Sequence, residues 1–281
     1  MPATFPIGTV AIPAHNEAAI IERCLDSLLA GSRPGEIEVL VACNGCTDGT
    51  ADVVRSSPHK VRVIEIAQAS KIAALRAADE ALLGFPRLYL DADVVIPAQS
   101  ARQVLGRLRT GPALAARPPL TYDTAGATPL VKSYYRARSR VPAVMNSLWG
   151  AGVYGLSQEG RARFGEFPDL IADDLFVDQQ FGRGEIEVVD CPPVLVKVPR
   201  RTADLFRVLR RYYRGNQENR ALSEGSPGTS GGTLRDLGIS ASSSPAKAFD
   251  AAAYAAFAAT ARLSLAVATP TGWARDESSR G

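Results

Sequence analysis

Leu88–Pro97 reads LYLDADVVIP, an apolar run that carries two carboxylates, Asp91 and Asp93, near its middle. On an extended backbone residues two apart project to the same side. Two like charges held that close repel unless something cationic lies between them. A divalent ion such as Mg2+ or Mn2+ suits the pair, because it takes hard oxygen ligands and commonly bridges to substrate phosphates. Such an ion would neutralise charge appearing on a phosphate leaving group. An isolated D-x-D also fits a plain strand end whose carboxylates cap nearby amides. A second acidic pair, Asp173-Asp174 in IADDLFVD, fits a helix N-terminus dressed with acids, with Asp178 a solvated neighbour.

The elements that must position these groups alternate through the first hundred residues. Gly8–Pro13 (GTVAIP) reads as a buried strand and Glu17–Ala30 (EAAIIERCLDSLLA) as an amphipathic helix. Ile37–Ala42 is the next strand, followed by a helix over Asp48–Ser56. Val61–Ile66 is a third strand, and Ser70–Leu83 a helix with Ser70 as its N-cap. Leu88–Leu90 makes a fourth strand that runs into Asp91-Ala92-Asp93. Repeated β-α units predict an α/β fold, a mainly parallel sheet with helices on both faces and right-handed crossovers. Ligands of such sheets gather beyond the carboxyl ends of the strands. Those ends carry Pro13-Ala14-His15-Asn16-Glu17, Cys43-Asn44-Gly45-Cys46 and Asp91-Ala92-Asp93, three polar clusters on one rim.

Composition narrows the class. The chain has 281 residues, 46% hydrophobic and 22% charged, with a net charge of +3. That charge is too small to argue for nucleic acid, and no basic stripe is interleaved with aromatics. The opening MPATFPIGTVAIP has no charged n-region, and its apolar run is short for a signal peptide. Four cysteines without a disulfide-framework spacing favour a reducing compartment, hence the cytoplasm.

The second half is less regular. A helix is predicted from Pro129 to about Arg140, then the Gly-rich Gly150–Gly155 (GAGVYG), one or two strands through Val188–Val198, and a basic helix around Thr202–Asn219. Residues 223–245 are dense in Ser and Gly and read as a linker. Ala246–Ala268 is an Ala-rich helix with one apolar stripe through Phe249, Phe257 and Leu265. Ala251–Thr269 approaches the roughly 20 residues of a membrane span. It carries Arg262, and a central arginine costs about 2.5–3.5 kcal/mol on insertion scales. Spanning is disfavoured, which leaves docking on the rest of the chain, homodimerisation or peripheral membrane association. GAGVYG satisfies G-x-G-x-x-G literally but has no strand before it and no long helix after it. It reads as a turn or as backbone approaching a ligand. CNGC at Cys43–Cys46 has no second pair at metal spacing and reads as two small buried thiols.

Five stretches in order, VAIPAHNEAAIIERCLDSL, VLVACNGCTDGTADVV, SKIAALRAAD, LYLDADVVIP and IADDLFVD, resemble the family 2 inverting glycosyltransferases of GT-A fold. The resemblance covers roughly residues 8–215. It implies a Rossmann-like GT-A domain over 1–222, with a nucleotide-sugar half of about 1–97 and an acceptor half of about 98–222. The 223–245 linker and a C-terminal helix and tail over 246–281 would follow. By the resemblance Pro13, His15 and Glu17 line the base and ribose, and Asn44 hydrogen-bonds the base edge. Lys71 reaches the ribose–phosphate region, and Asp91 lies near the ribose and metal shell with Asp93 as the principal metal ligand. Asp174 is the base that takes the acceptor's proton, supported by Asp173. Arg214, in RVLRRYYRGNQ, holds the diphosphate, although Arg211 and Gly215 depart from the family's Q-x-x-R-W. Arg76 stands where the family frequently has asparagine.

The implied reaction is Mn2+- or Mg2+-dependent transfer of a sugar from a nucleoside diphosphate sugar to an acceptor hydroxyl. The acceptor would be a glycan or a lipid-linked sugar, as in polysaccharide biosynthesis, at the inner face of the membrane or free in the cytoplasm. Two rivals share the rim: a nucleotidyltransferase acting on sugar phosphates, which would release pyrophosphate, and a non-catalytic nucleotide-sugar-binding protein.

Overall fold

The structure, a computed structural model, describes residues 6–170, 172–182, 184–222 and 244–267. Most of the Ser/Gly-rich linker (223–243) and the tail from 268 onward therefore lie outside the described residues. In chain order the elements are β1 (Gly8–Ala14), α1 (Ile21–Leu29), β2 (Ile37–Asn44), α2 (Thr50–Ser56), β3 (Val61–Ile66), α3 (Lys71–Ala81), β4 (Arg87–Leu90), α4 (Ala98–Thr110), β5 (Ala115–Arg117) and β6 (Leu120–Asp123). They continue with α5 (Pro129–Arg138), α6 (Pro142–Met145), β7 (Val153–Leu156), α7 (Gln158–Arg161), α8 (Asp173–Asp178), β8 (Ile186–Val188), β9 (Val194–Lys197), α9 (Thr202–Leu222) and α10 (Pro245–Val267). Two compact units result: Met1–Leu120 with Leu148–Asp169 and Phe176–Leu195, and Thr121–Ser147 with Leu170–Leu175 and Val196–Gly281.

The first unit is built on a seven-stranded sheet in the order β3-β2-β1-β4-β7-β5-β8. β1 pairs in parallel with β2 on one side and β4 on the other, and β2 with β3. β7 is antiparallel to both β4 and β5. Every residue of β1 is buried, which is why it reads as an unbroken apolar run rather than an alternation. Chain order runs outward from β1 to β3 and then restarts on the other flank of β1 with β4. That reversal opens a crevice beyond the carboxyl ends of β1 and β4.

Three expectations shift in detail. The first helix begins at Ile21 rather than Glu17, because Asn16 adopts a left-handed φ of 54° and Glu17–Ile20 form a turn closed by Ile20 N–H on the Glu17 carbonyl. Part of GAGVYG is itself a strand, β7. The D-x-D is not extended: β4 stops at Leu90, and Val94 N–H donates to the Asp91 carbonyl at 3.1 Å. The two carboxylates thus sit in a tight turn, and the same-side argument from an extended strand does not apply to them.

In the second unit α10 lies against α5 and α9. Its buried positions are Asp250, Ala253, Tyr254, Ala258 and Ala261, whereas Phe249 is 58% exposed, so the packed stripe differs from the expected one. Tyr254 stacks on Tyr134 with centroids 4.9 Å apart, Phe257 meets the same ring edge-on, and the Arg262 guanidinium lies over Tyr213 at 4.7 Å. The alanines allow the close approach that those rings need. Asp250 locks the arrangement, accepting hydrogen bonds from Ser133, Arg136 and Arg140. Among the described residues no helix is long and apolar enough to cross a membrane.

Burial pushes the Asp250 carboxyl up, but the bonds from Arg136, Ser133 and Arg140 outweigh it and lower the pKa from 3.8 to about 2. Since the folded value lies below the unfolded one, this carboxylate stabilises the fold fully above about pH 4. The contribution, about 2 kcal/mol, is lost as pH falls toward 2. Thermal melts across that window should show Asp250→Asn less stable than the parent at pH 6, with the gap narrowing on acidification; a constant gap would contradict the assignment.

Candidate active site

The carboxyl ends of β1 and β2 are cross-braced. Asn44 is 2% exposed and donates from Nδ2 to the Ala14 carbonyl at 2.8 Å, while His15 Nδ1 meets the Asn44 carbonyl at 2.5 Å. Asn16 Oδ1 accepts from Thr47 N–H at 2.7 Å. Asp48 ties the two loops together: Oδ2 accepts from Ala18 N–H, and Oδ1 from the amide and hydroxyl of Thr50, whose hydroxyl in turn accepts from Glu17 N–H. Burial raises the Asp48 pKa, but bonds from Thr50 and Ala18 more than offset this and leave it below the usual carboxylate value. Asp48 is thus a structural clamp on the loop that carries His15 and Glu17.

The D-x-D turn is next to this brace. Asp91 is half-buried and Asp93 exposed. Ser70 caps α3, its Oγ accepting from Ala73 N–H at 3.2 Å, and so aims the first helical residue, Lys71, at the rim. Lys71 Nζ lies 2.6 Å from Asp91 Oδ1. The ladder between β4 and β7 continues one step into the turn, where Asp91 N–H donates to the Gly152 carbonyl at 2.8 Å. Gly152 has φ +65°, and a Cβ there would stand 2.5 Å from Val94 Cγ2 and 3.4 Å from Asp91 Oδ2. The glycine segment thus packs directly against the carboxylate turn, a close approach that a side chain at position 152 would prevent.

Burial and then the nearby Asp93 and Asp91 charges raise the Cys24 thiol to about 12. The acidic field of the turn thus reaches into the core. Burial, followed by the adjacent Cys46, takes Cys43 to about 12 as well, so this thiol is un-ionised at neutral pH. Among the described residues no group of three or more His, Cys, Asp or Glu could hold a metal by protein ligands alone. Any ion at this turn would need oxygens from another source, as Mg2+ sites commonly take from phosphates.

Arg76 gains an explanation that its sequence position did not offer. Its Nε donates to the Phe167 carbonyl at 2.7 Å and its Nη1 lies 3.2 Å from Asp169 Oδ1, which pins the 166–169 segment to α3. Asp178 is no solvated neighbour: its Oδ1 accepts from Leu148 N–H at 2.7 Å, fixing the stretch that leads to the glycines. The half-buried Asp79, which binds Arg87, Arg161 and Tyr89, was also passed over, since α3 reads as an ordinary helix.

In the second unit Asp173 is 4% exposed and Asp174 half-buried at the start of α8. Asp174 Oδ1 accepts from Leu175 N–H at 2.8 Å, and its charge acts on the Tyr212 hydroxyl. Arg214 lies on α9 with its Nε 4.0 Å from Glu218 Oε1. Arg138 is buried among tyrosines, donating to Tyr122 and facing the Tyr212 ring. Nothing in its sequence context distinguishes it from neighbouring surface arginines.

The family profile described as glycosyl transferase family 2 matches residues 9–149, half of the chain. The chain belongs to glycosyl transferase family 2. A validoxylamine A glucosyltransferase of Streptomyces hygroscopicus subsp. limoneus is 34% identical over 113 residues, 38% of this chain and 25% of that protein. The glycosyltransferase AglE of Haloferax volcanii is 34% identical over 98 residues, 33% of this chain and 32% of that protein. The matches thus span a quarter to a third of those relatives' lengths. Among solved structures, a mannosyltransferase of Pyrobaculum calidifontis in complex with GDP-Man and Mn2+ superposes with a TM-score of 0.62 at 24% identity, over 95% of this chain and 80% of that one. Glucosyl-3-phosphoglycerate synthase of Mycobacterium tuberculosis, with Mn2+, UDP and glucosyl-3-phosphoglycerate, gives 0.55 at 22%, over 79% of this chain and 81% of that one. The fold is GT-A, α/β with additional C-terminal helices.

Gly152→Ala should destabilise the protein by about 1–3 kcal/mol in chemical denaturation, from the positive φ and the clash with Val94. Gly106→Ala, in the interior of α4 with open space around its Cβ position, should be neutral or slightly stabilising. Equal effects would show that the close approach at Gly152 is not a constraint.

Proposed function

We propose that the chain is a metal-dependent, inverting glycosyltransferase moving a sugar from a nucleoside diphosphate sugar to an acceptor hydroxyl. The observation that carries this reading is the carboxylate turn at the end of β4, at the point where strand order reverses. It stands beside the β1 loop and against Gly152, whose backbone packs close to Asp91. In this reading Asp93 and Asp91 hold Mn2+ or Mg2+, whose charge would stabilise the departing diphosphate. The hard oxygen donors of the turn fit such an ion, as does their negative charge, which adds to burial in raising the Cys24 thiol. The Mn2+ and GDP-Man or UDP in the two structural relatives support it.

Pro13, His15 and Glu17 would line the base and ribose, whereas Asn44, expected to hydrogen-bond the base edge, spends its Nδ2 on the Ala14 carbonyl and would instead hold β1 and β2 at the spacing the base enters. Lys71 neutralises Asp91 when no donor is bound and offers its ammonium to the diphosphate when one is. Arg214 would bind diphosphate oxygens through its guanidinium. Asp174 would take the acceptor proton as the hydroxyl oxygen attacks the anomeric carbon, and the buried Asp173 would support it.

Thermal shifts across UDP- and GDP-sugars, with and without Mn2+, test donor binding. Asp93→Ala should remove the Mn2+-dependent stabilisation. Asp174→Asn should keep it and slow transfer by about 10²–10⁴-fold. Proton NMR should find the product anomer inverted relative to the donor. Release of pyrophosphate would favour the nucleotidyltransferase, and donor binding without turnover would favour a binding protein. A retained anomer would refute the inverting mechanism.

A further inference from the structure

Cys43 and Cys46 take no part in the chemistry proposed above, and the two thiols are not alike. Cys43 is 1% exposed near the end of β2, whereas Cys46 is part-exposed in the loop that follows. The expectation of two buried thiols therefore holds for Cys43 alone. Gly45 adopts φ +57° and bends the chain back between them. Cys46 Sγ donates to the Ala14 carbonyl at 3.4 Å, and Ala14 is the residue that pairs with Cys43 across the β1–β2 ladder. The Cys43 side chain in turn hydrogen-bonds the Cys46 thiol. Two thiols in contact across a turn are placed to close a small ring.

Cys46 also braces the rim. The same sulfur accepts from Asn16 N–H at 3.4 Å, so it holds both sides of the bend that presents His15. Its chain neighbour Thr47 donates from its N–H to Asn16 Oδ1 at 2.7 Å. Drawing Cys46 toward Cys43 therefore pulls on two of the bonds that hold Asn16. In a reducing compartment such a pair rests as thiols, and its oxidised form is transient and redox-sensing.

We propose that Cys43 and Cys46 are a redox-modification site, at which oxidation closes a disulfide, draws Cys46 off the β1 loop and weakens nucleotide binding. The effect on nucleotide rests on the donor reading above; the disulfide does not. The oxidant is a low-molecular-weight disulfide such as oxidised glutathione. The part-exposed Cys46, as thiolate, attacks one of its sulfurs, expels one glutathione thiolate and is left in a mixed disulfide. Cys43 then gives its proton to a glutathione thiolate and attacks the Cys46 sulfur, expelling the second glutathione. Two protein thiols and one oxidised glutathione thus become one internal disulfide and two glutathione thiols. Burial and then the adjacent Cys46 hold the Cys43 thiol up at about 12, so the second step is the slow one. The part of that rise due to Cys46 lapses once Cys46 carries glutathione.

Mass spectrometry of the full chain after treatment with oxidised glutathione, beside a sample kept in dithiothreitol, reads the modification directly. The oxidised chain should lose two hydrogen atoms, and Cys24→Ala should still lose them. Cys43→Ala should stop at the glutathione adduct on Cys46, with Cys43→Ser in its place if the alanine variant does not fold. Hydrogen exchange over the 14–17 segment should quicken roughly 2–10-fold on oxidation, as the loss of one hydrogen bond implies. Thermal stabilisation by UDP or GDP with Mn2+ should fall on oxidation and return with dithiothreitol. A parent chain that stays reduced, or that keeps glutathione on Cys46 without closing the ring, would overturn the site. A disulfide that leaves exchange of the 14–17 segment unchanged would overturn the release of the β1 loop. If nucleotide does not stabilise even the reduced parent, the donor reading fails while the disulfide and the exchange still decide the rest. If it stabilises both redox states equally, the donor reading stands and the control of binding by oxidation is refuted.

Discussion

Two carboxylates in one tight turn need positive charge beside them, and much of the first unit is arranged around that need. Lys71 supplies one ammonium, delivered to Asp91 by a capped helix start. The charges of Asp93 and Asp91 also reach the Cys24 thiol, adding to the burial that raises it. A solvated ion pair at such exposure is worth little by itself. Its value lies in holding the carboxylate ready while leaving it exchangeable. Part-exposure matters for the same reason: a fully buried pair would protonate rather than wait for a cation.

The backbone around the turn has correspondingly little freedom. Asp91 N–H is tied to Gly152, and Gly152 tolerates no side chain where it passes Val94. On the other flank the β1 loop bends through a left-handed Asn16 and is clamped by Asp48 and Thr50. In the proposed reading, pre-organised loops of this kind would reduce the ordering cost of binding a flexible diphosphate. In the second unit a different lock works: α10 is held by one carboxylate that three donors share, packed between stacked tyrosines.

The first three β-α repeats and the strand β4 were legible because β1 and β4 are buried throughout, β2 at all but Glu38, and α1 and α3 are amphipathic or capped. The polar rim was legible for the same reason, since polar residues at the ends of apolar runs stand out. The D-x-D turn was misjudged as extended: strand propensity does not report where a ladder ends, and this one ends on a contact with β7, sixty residues downstream. The short β5 and β6 gave too little pattern to be recognised, whereas α4 was passed over although Ala101, Val104, Leu105 and Leu108 recur at helical spacing. Asp250 looked like an unremarkable polar residue in an alanine helix, yet it fixes which stripe of α10 is buried. Arg76 and Asp178 could not be interpreted because their partners, Phe167, Asp169 and Leu148, are distant in sequence.

The central claim is that the Asp91–Asp93 turn binds a divalent ion together with a donor's diphosphate. Electron paramagnetic resonance of Mn2+ titrated into the full chain, alone and with UDP or GDP, tests it most directly. Weak binding of Mn2+ by itself, tightened strongly by a nucleoside diphosphate and lost on Asp93→Ala, is the expected result. A protein that leaves Mn2+ free in solution whichever nucleotide is supplied would contradict the account.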